Sequence, residues 1–440
     1  MHITRRRFLA FSGIGMATAF TGCRPLEIRG VSPDSALDVI NQPGLTGKAL
    51  LAGNKHRFLG YPVNMTTLPE EFFSWRRQLH AAGINQFAFN NVGNPFKESS
   101  LPFNTHDFER EVIRHFAGLY GFPVHDYWGF LSNSGTDSNM HGMYMGRTLL
   151  TTRTGVRPKV YFTGEAHYSI QILGDLLGME MVQVATLADG GMDKVSLADH
   201  LADNRDHPAL VVATVGTTFK GAIDHVDAIQ SVLQGVDSYV HLDAALFGGY
   251  LPYTPFVSQV LHQNGNRRRY DSLAVSCHKF FGFPSPAGLF ITRDSLYQEF
   301  NEQFSRIHKP EYIHHVPGTI TCSRDAVKPA EFYFFTTGSA SARQAADAGS
   351  ILQLTARLHQ EMQSRMPMLQ ATRANHLSNT LYFRKPSPAI IKKYSLATMN
   401  LATAAGTEGY AHVVIMPHVT DRVIDEFLTD LEVDRGGAGV

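Results

Sequence analysis

The residues with the clearest chemical potential are Ser276-Cys277-His278-Lys279, which follow the apolar run Leu273–Val275 and precede Phe280-Phe281-Gly282-Phe283. A lysine at the end of a buried strand, flanked by aromatic rings, is costly to hold in its charged form. Its chemical use there is as a neutral amine, the form that makes a Schiff base with an aldehyde. The structural alternative is a lysine snorkelling from a strand end. A carboxylate elsewhere in the chain favours the chemical reading. His241-Leu242-Asp243-Ala244-Ala245 places Asp243 at the C-terminal end of a second apolar strand, where open α/β sheets build their sites. Asp243 precedes Lys279 by 279 − 243 = 36 residues, room for one crossover. A nucleophile–base pair made of Cys277 and His278 fits poorly, because strand neighbours point to opposite faces and no third group orients them.

An amine for an aldehyde and an acid for a ring nitrogen are what pyridoxal phosphate (PLP) chemistry requires. At ~4 Å and an effective dielectric near 20, such an ion pair contributes roughly 4 kcal/mol. That is about three pKa units, enough to keep a pyridine ring protonated at neutral pH. A third segment, Ser132-Asn133-Ser134-Gly135-Thr136-Asp137-Ser138-Asn139, opens a helix-prone stretch, Met140–Leu150. Such a turn offers free N–H groups, hydroxyls and the positive end of a helix dipole to a phosphate, and Ser276 and His278 can add contacts. His167, in Glu165-Ala166-His167-Tyr168-Ser169, can stack on a ring. Taken singly, the last two segments read equally well as an ordinary capped helix and a packed histidine.

These residues need a sheet to bring them together, and the sequence supplies one. Strands are expected at Val160–Thr163, Met181–Ala185, Leu210–Thr214, Tyr239–Asp243, Leu273–Ser276 and Leu289–Thr292, with helical stretches between most of them. That alternation predicts an α/β fold with a largely parallel sheet covered on both faces. Upstream, Glu70–Ala82 carries Phe72, Trp75 and Leu79 at helical spacing, and a helix after Asn104-Thr105 carries Phe108, Val112, Phe116 and Leu119. From about residue 330 a helix, short strands at Thr380–Phe383 and His412–Met416, and a final helix at Asp421–Leu431 suggest a smaller α+β domain.

Together these motifs resemble the PLP-dependent group II amino-acid decarboxylases, most closely the bacterial PLP-type histidine decarboxylases. The likeness runs from Phe58-Leu59-Gly60-Tyr61-Pro62 to the C-terminus and is strongest between Phe108 and Arg324. It is carried by Phe108-Glu109-Arg110-Glu111-Val112, Tyr127-Trp128-Gly129, Ala166-His167-Tyr168-Ser169, Gly216-Thr217-Thr218 and His241-Leu242-Asp243-Ala244-Ala245. Ser276-Cys277-His278-Lys279 and Thr319-Ile320-Thr321-Cys322-Ser323-Arg324 complete it.

The resemblance implies PLP-dependent transferase fold type I, with a large, mostly parallel seven-stranded-type sheet domain, a small C-terminal α+β domain, and a homodimer or larger assembly. Lys279 would hold PLP, Asp243 would pair with its ring nitrogen, and His167 would stack on the ring, with Ala245 beside it. Ser134, Gly135, Thr136, Ser276 and His278 would surround the phosphate, and His167, Ser323 and Arg324 would face the substrate. The implied activity is loss of CO2 from an L-amino acid to give the amine, histidine to histamine first. Decarboxylation of an aromatic or other amino acid, decarboxylation–deamination and transamination share Lys279 and Asp243. A non-catalytic exported lipoprotein would share only the fold, and the presence of Lys279, Asp243 and His167 argues against it. The family's usual Gly-Gly-Thr-Glu-Gly is here Ser134-Gly135-Thr136-Asp137-Ser138, and its Gly before His-Lys is Cys277. Its Gly-Ser-Arg-Asn-Gly is Cys322-Ser323-Arg324-Asp325-Ala326, which bears on the choice of substrate.

The N-terminus reads as an address. Thr4-Arg5-Arg6-Arg7-Phe8-Leu9 resembles a twin-arginine export signal, followed by a short apolar run and Phe20-Thr21-Gly22-Cys23, similar to a lipobox with Cys23 as the acylated residue. A disordered basic tail on a cytoplasmic enzyme is the alternative. The expected layout is a leader at 1–22, a tether or arm at 23–60, a large PLP-binding domain at 61–325 and a small domain at 326–440. Export would place the protein in the periplasm, with any membrane attachment through the N-terminal lipid alone. The composition agrees with an enzyme of this size. The 440 residues are 43% hydrophobic, with 39 Lys+Arg balancing 39 Asp+Glu, so there is ample core and no basic footprint for nucleic acid. Three cysteines (Cys23, Cys277, Cys322) make no disulfide framework, and the 21 histidines are scattered without metal-ligand spacing, so no metal is expected.

Overall fold

A computed structural model of the chain describes residues 52–263, 269–307, 311–313, 315–403 and 406–436. The expected leader, Cys23 and most of the expected arm lie outside the described residues. Among the described residues no helix is long and apolar enough to cross a membrane.

The chain from Lys55 onward forms one compact unit built around a seven-stranded sheet. In chain order the strands are β1 (Asn90–Val92), β2 (Trp128–Ser132), β3 (Lys159–Thr163), β4 (Met181–Val184), β5 (Ala209–Thr214), β6 (Ser238–Asp243), β7 (Ser272–Ser276), β8 (Gly288–Thr292), β9 (Ser323–Asp325), β10 (Thr380–Arg384), β11 (Ala397–Thr403) and β12 (Gly406–Val414). The large sheet runs β2-β8-β7-β6-β5-β3-β4. Strands β7, β6, β5, β3 and β4 are parallel to one another, while β8 lies antiparallel to both β7 and β2. The six strands expected from the apolar runs all form; β2 was expected only as a family motif. Its glycine explains the weak strand signal: a Cβ at Gly129 would lie 2.2 Å from the Phe290 carbonyl of β8.

Apart from the edge strand β4, the sheet is buried on both faces, which is why its strands read as continuous apolar runs. Along β5, Val211 and Ala213 belong to one core cluster, and Leu210 and Val212 belong to the other. Strand alternation sends successive side chains to opposite layers. The small C-terminal sheet is antiparallel, in the order β10-β12-β11. Its strand β12 starts earlier than the expected His412, because the half-exposed Gly406–Gly409 segment pairs with β11 without an apolar run to mark it. Lys55–Gly60 belongs to the compact unit: Leu59 N–H donates to Tyr394 O (3.1 Å), and Val414 N–H donates to Leu59 O (2.7 Å).

The helices include α1 (Glu70–Ala81), α2 (His106–Leu119), α3 (Gly135–Thr154) and α4 (Ser169–Leu176). Helix α3 positions the site. Ser134 caps it in an extended conformation and accepts the Asp137 N–H (3.2 Å), while Gly155 closes it with φ +75°. It packs against β6, β7 and β8. Its residues meet one face of β6 in register: Gly146 lies over Tyr239, Gly142 over His241, and Asn139 bonds Asp243. Helical steps of three and four thus match the two-residue step of a strand. A Cβ at Gly142 would fall 2.3 Å from His241 Nδ1, so only glycine admits the imidazole there.

Candidate active site

The C-terminal ends of β5, β6 and β7 and the N-terminus of α3 converge on a cavity of about 210 Å³. It is lined by Ser134, Gly135, Thr136, His167, Asp243, Ala245, Ser276, His278 and Lys279. These nine residues come from segments spread over more than a hundred positions of sequence, and the fold brings all of them to one wall system. Sequence reasoning left out five further polar or glycine positions there: Asn139, Ser169, Thr214, Gly216 and Thr218. Asn139 was legible in principle, since it lies one turn beyond Gly135 and therefore on the same side of α3.

Asp243 is only 4% exposed. Its Oδ2 accepts from Asn139 Nδ2 (3.0 Å), and its Oδ1 accepts from the Ala245 N–H (3.1 Å). Both oxygens are therefore aimed by the protein. Lys279 faces the same cavity. Loss of water around it pulls its ammonium below the usual lysine range, against the opposing pull of Asp243. His167 Nδ1 accepts from the Ser169 N–H (3.3 Å) and sits 2.8 Å from Ser169 Oγ, which leaves Nε2 to carry the ring proton. Burial lowers the His167 pKa; Asp243 opposes that shift and Lys279 adds to it. Burial, then Lys279, likewise lowers His278. Both shifts disfavour the imidazolium form, and Asp243 supplies the carboxylate on the cavity wall.

The residues fit a phosphorylated ring aldehyde. The first N–H groups of a 20-residue helix open into the cavity beside Ser134, Thr136 and Ser276, a ready anion site. A Cβ at Gly135 would lie 2.4 Å from Ser276 Oγ, so the glycine keeps the space between helix start and strand end open. Thr214 Oγ1 is buried on the cavity wall and has no hydrogen-bond partner among the described residues. It is a polar group awaiting one.

Ser323 and Arg324 are not part of this wall. Ser323 is exposed, accepts from Asn90 Nδ2 (3.1 Å), and lines a separate, larger cavity of about 950 Å³. Arg324 turns inward and pairs with Glu109. Its Nη2 donates to Gly93 O (3.0 Å), and its guanidinium lies 5.2 Å from the centre of the Phe130 ring. The Arg324 side chain is 1% exposed and that of Glu109 0%. Within the chain, the expectation that Arg324 faces the substrate is therefore corrected: a fully buried carboxylate claims its charge. Glu109 also accepts from the Leu131 N–H (2.8 Å) and Asn91 Nδ2 (3.1 Å), tying α2, β1, β2 and β9 together. The neighbouring departures have local duties too. Asp325 accepts from the Val327 and Lys328 N–H groups, and Ala326 O accepts from Thr105 Oγ1.

Comparison with known proteins agrees with this geometry. Residues 96–369 match the pyridoxal-dependent decarboxylase conserved domain. The chain is 30% identical to a histidine decarboxylase of Solanum lycopersicum, over 88% of this chain and 86% of that one. It is 32% identical to serine decarboxylase 1 of Oryza sativa subsp. japonica, over 88% of this chain and 74% of that one. The L-methionine decarboxylase of Streptomyces sp.590 has the same fold, with a TM-score of 0.75 at 21% identity over 91% of this chain and 96% of that one.

Removing one partner of a buried ion pair strands the other, at a cost of about 3–5 kcal/mol. Arg324→Met should therefore lower unfolding stability by that amount in urea titration. Full stability with only a raised KM would instead return Arg324 to the substrate.

Proposed function

The chain belongs to the pyridoxal-dependent decarboxylase family, and from that premise we propose that it converts L-histidine to histamine with PLP held on Lys279. The reaction class, PLP-dependent decarboxylation of an amino acid, follows from the family. The observation that carries the assignment of Lys279 is that it shares one cavity with a buried carboxylate whose two oxygens are both fixed by donors.

When bound, PLP supplies an electron sink for the pair left on Cα as CO2 departs. The chain's own residues do the rest. Lys279 Nζ, favoured in its neutral form, would hold the aldehyde. Asp243 would hold a proton on the ring nitrogen, with Asn139 and the Ala245 N–H fixing the carboxylate's orientation. The start of α3, with Ser134, Thr136, Ser276 and His278, would hold the phosphate. His167, with its proton on Nε2, would lie against the ring and donate a hydrogen bond into the cavity. Histidine is the first substrate because of the relatives named histidine decarboxylase. Serine is the second, because a rice serine decarboxylase is equally similar.

The assembly is a homodimer. Tyr168, Ile172 and Leu176 stand at four-residue spacing on α4 and its cap, each more than half exposed. Leu176 continues into the 950 Å³ cavity with Leu101, Phe304, Ile307 and Tyr312. So wide an apolar surface next to His167 calls for a partner, and a second copy is the one this reading assigns. The N-terminal segment directs the protein to the periplasm through twin-arginine export, with lipid attachment at Cys23; a cytoplasmic enzyme is the competing outcome.

Purified protein should show the visible absorbance of lysine-bound PLP, and Lys279→Ala should abolish it. CO2 release should be fastest from histidine; release from serine alone would reassign the substrate, and a protein that never takes up PLP would refute the enzyme reading. Sedimentation should give a dimer that Ile172→Asp with Leu176→Asp converts to monomer; a monomeric wild type would contradict it. Replacing Arg5 and Arg6 by Lys should hold the precursor in the cytosol, whereas unchanged fractionation would favour the cytoplasmic alternative.

A further inference from the structure

We propose that Ser272, His241 and Asn139 form a one-directional hydrogen-bond chain that fixes Asp243 as an acceptor, making Asn139 and His241 positioning residues for the cofactor's ring nitrogen. The inference rests on the role given to Asp243 above.

The direction follows from the donors and acceptors. Asn139 Nδ2 lies 3.0 Å from Asp243 Oδ2. Flipping the amide would set an oxygen against a carboxylate, so Asn139 Oδ1 must face the other way, toward His241 Nε2 at 2.9 Å. That nitrogen therefore carries the proton. A neutral imidazole then has a bare lone pair on Nδ1, which accepts from Ser272 Oγ at 2.7 Å. Burial holds His241 neutral, with its pKa lowered to about 3, in agreement with a single ring proton.

All three residues are no more than 2% exposed, so water cannot replace any link. The helix is cut away to admit the imidazole: a Cβ at Gly142 would meet it at 2.3 Å. Fixed donors aimed at a reacting group act without reorganisation, and linked donors polarise one another. The chain thus presents the outer face of Asp243 with its orientation already set. The same residues could instead be ordinary satisfied core polar groups, and the two readings differ in what their variants do to PLP.

The test uses the full chain loaded with PLP, following the dissociation constant of PLP and the pH titration of the visible band. Asn139→Leu and His241→Phe should each weaken PLP binding by about tenfold, the scale of one lost hydrogen bond to a charged group. His241→Gln should stay within about threefold of wild type, because a glutamine amide can donate to Asn139 and accept from Ser272. The double variant Asn139→Leu/His241→Phe should be no weaker than Asn139→Leu alone, since both break one chain. Folded variants with wild-type affinity and titration would overturn the proposal, as would losses that simply add. If Asn139→Leu does not fold, ¹⁵N resonances of wild-type histidines decide, with His241 identified by its absence in His241→Gln. The Nε2–H form supports the chain; the Nδ1–H or charged form overturns it. Lys279→Ala measured alongside separates the two levels. If it keeps the visible band, the underlying assignment falls and takes this inference with it. If it loses the band while Asn139→Leu behaves as wild type, the chain alone is overturned.

Discussion

The site depends on keeping an amine and a carboxylate in one cavity with little water. Desolvation favours neutral Lys279, and the carboxylate favours its charged form. The structure tips the balance by satisfying the carboxylate from elsewhere: Asn139 and the Ala245 N–H bind both oxygens of Asp243. An acid whose lone pairs are already met from two sides has less need of the lysine. Lys279 is then left to react as an amine. The two groups can then serve opposite ends of one ring system.

That balance needs rigid support, and α3 provides it. One end of the helix faces the cavity with its N–H groups, while its flank rests on β6 in matched steps from Tyr239 to Asp243. A second support lies in the elements that precede α3. The buried Glu109–Arg324 pair joins α2, β1, β2 and β9, and β2 leads directly into the Ser132–Ser134 turn that starts α3. Ser132 Oγ bonds both Ser134 O and Ser138 Oγ at 2.7 Å, so the turn that opens the helix is fixed from below.

Much of this was legible in the sequence, for identifiable reasons. Strands buried on both faces must be apolar throughout, so β3 and β5 to β8 announce themselves. Lys279 and Asp243 could be found because a charged residue at or just beyond the end of such a run is costly and therefore informative. Strand β2 was harder, since Gly129 is there for close approach to β8 and weakens the local preference. Arg324 misled because its substrate-facing role came from the resemblance of its motif, while no neighbouring residue marks an ion pair. Its partner, 215 residues earlier in the chain, is chosen only by the fold. Asn139 was hidden in a turn whose composition is that of any capped helix; its meaning appears once α3 is laid on β6.

The central claim is that Lys279 is the residue that bears the cofactor. Borohydride reduction turns a lysine-bound aldehyde into a stable secondary amine, and mass mapping of the digested protein then locates it. The account predicts PLP on the single peptide containing Lys279. A tag on any other lysine, or no tag on protein that binds PLP, would contradict it.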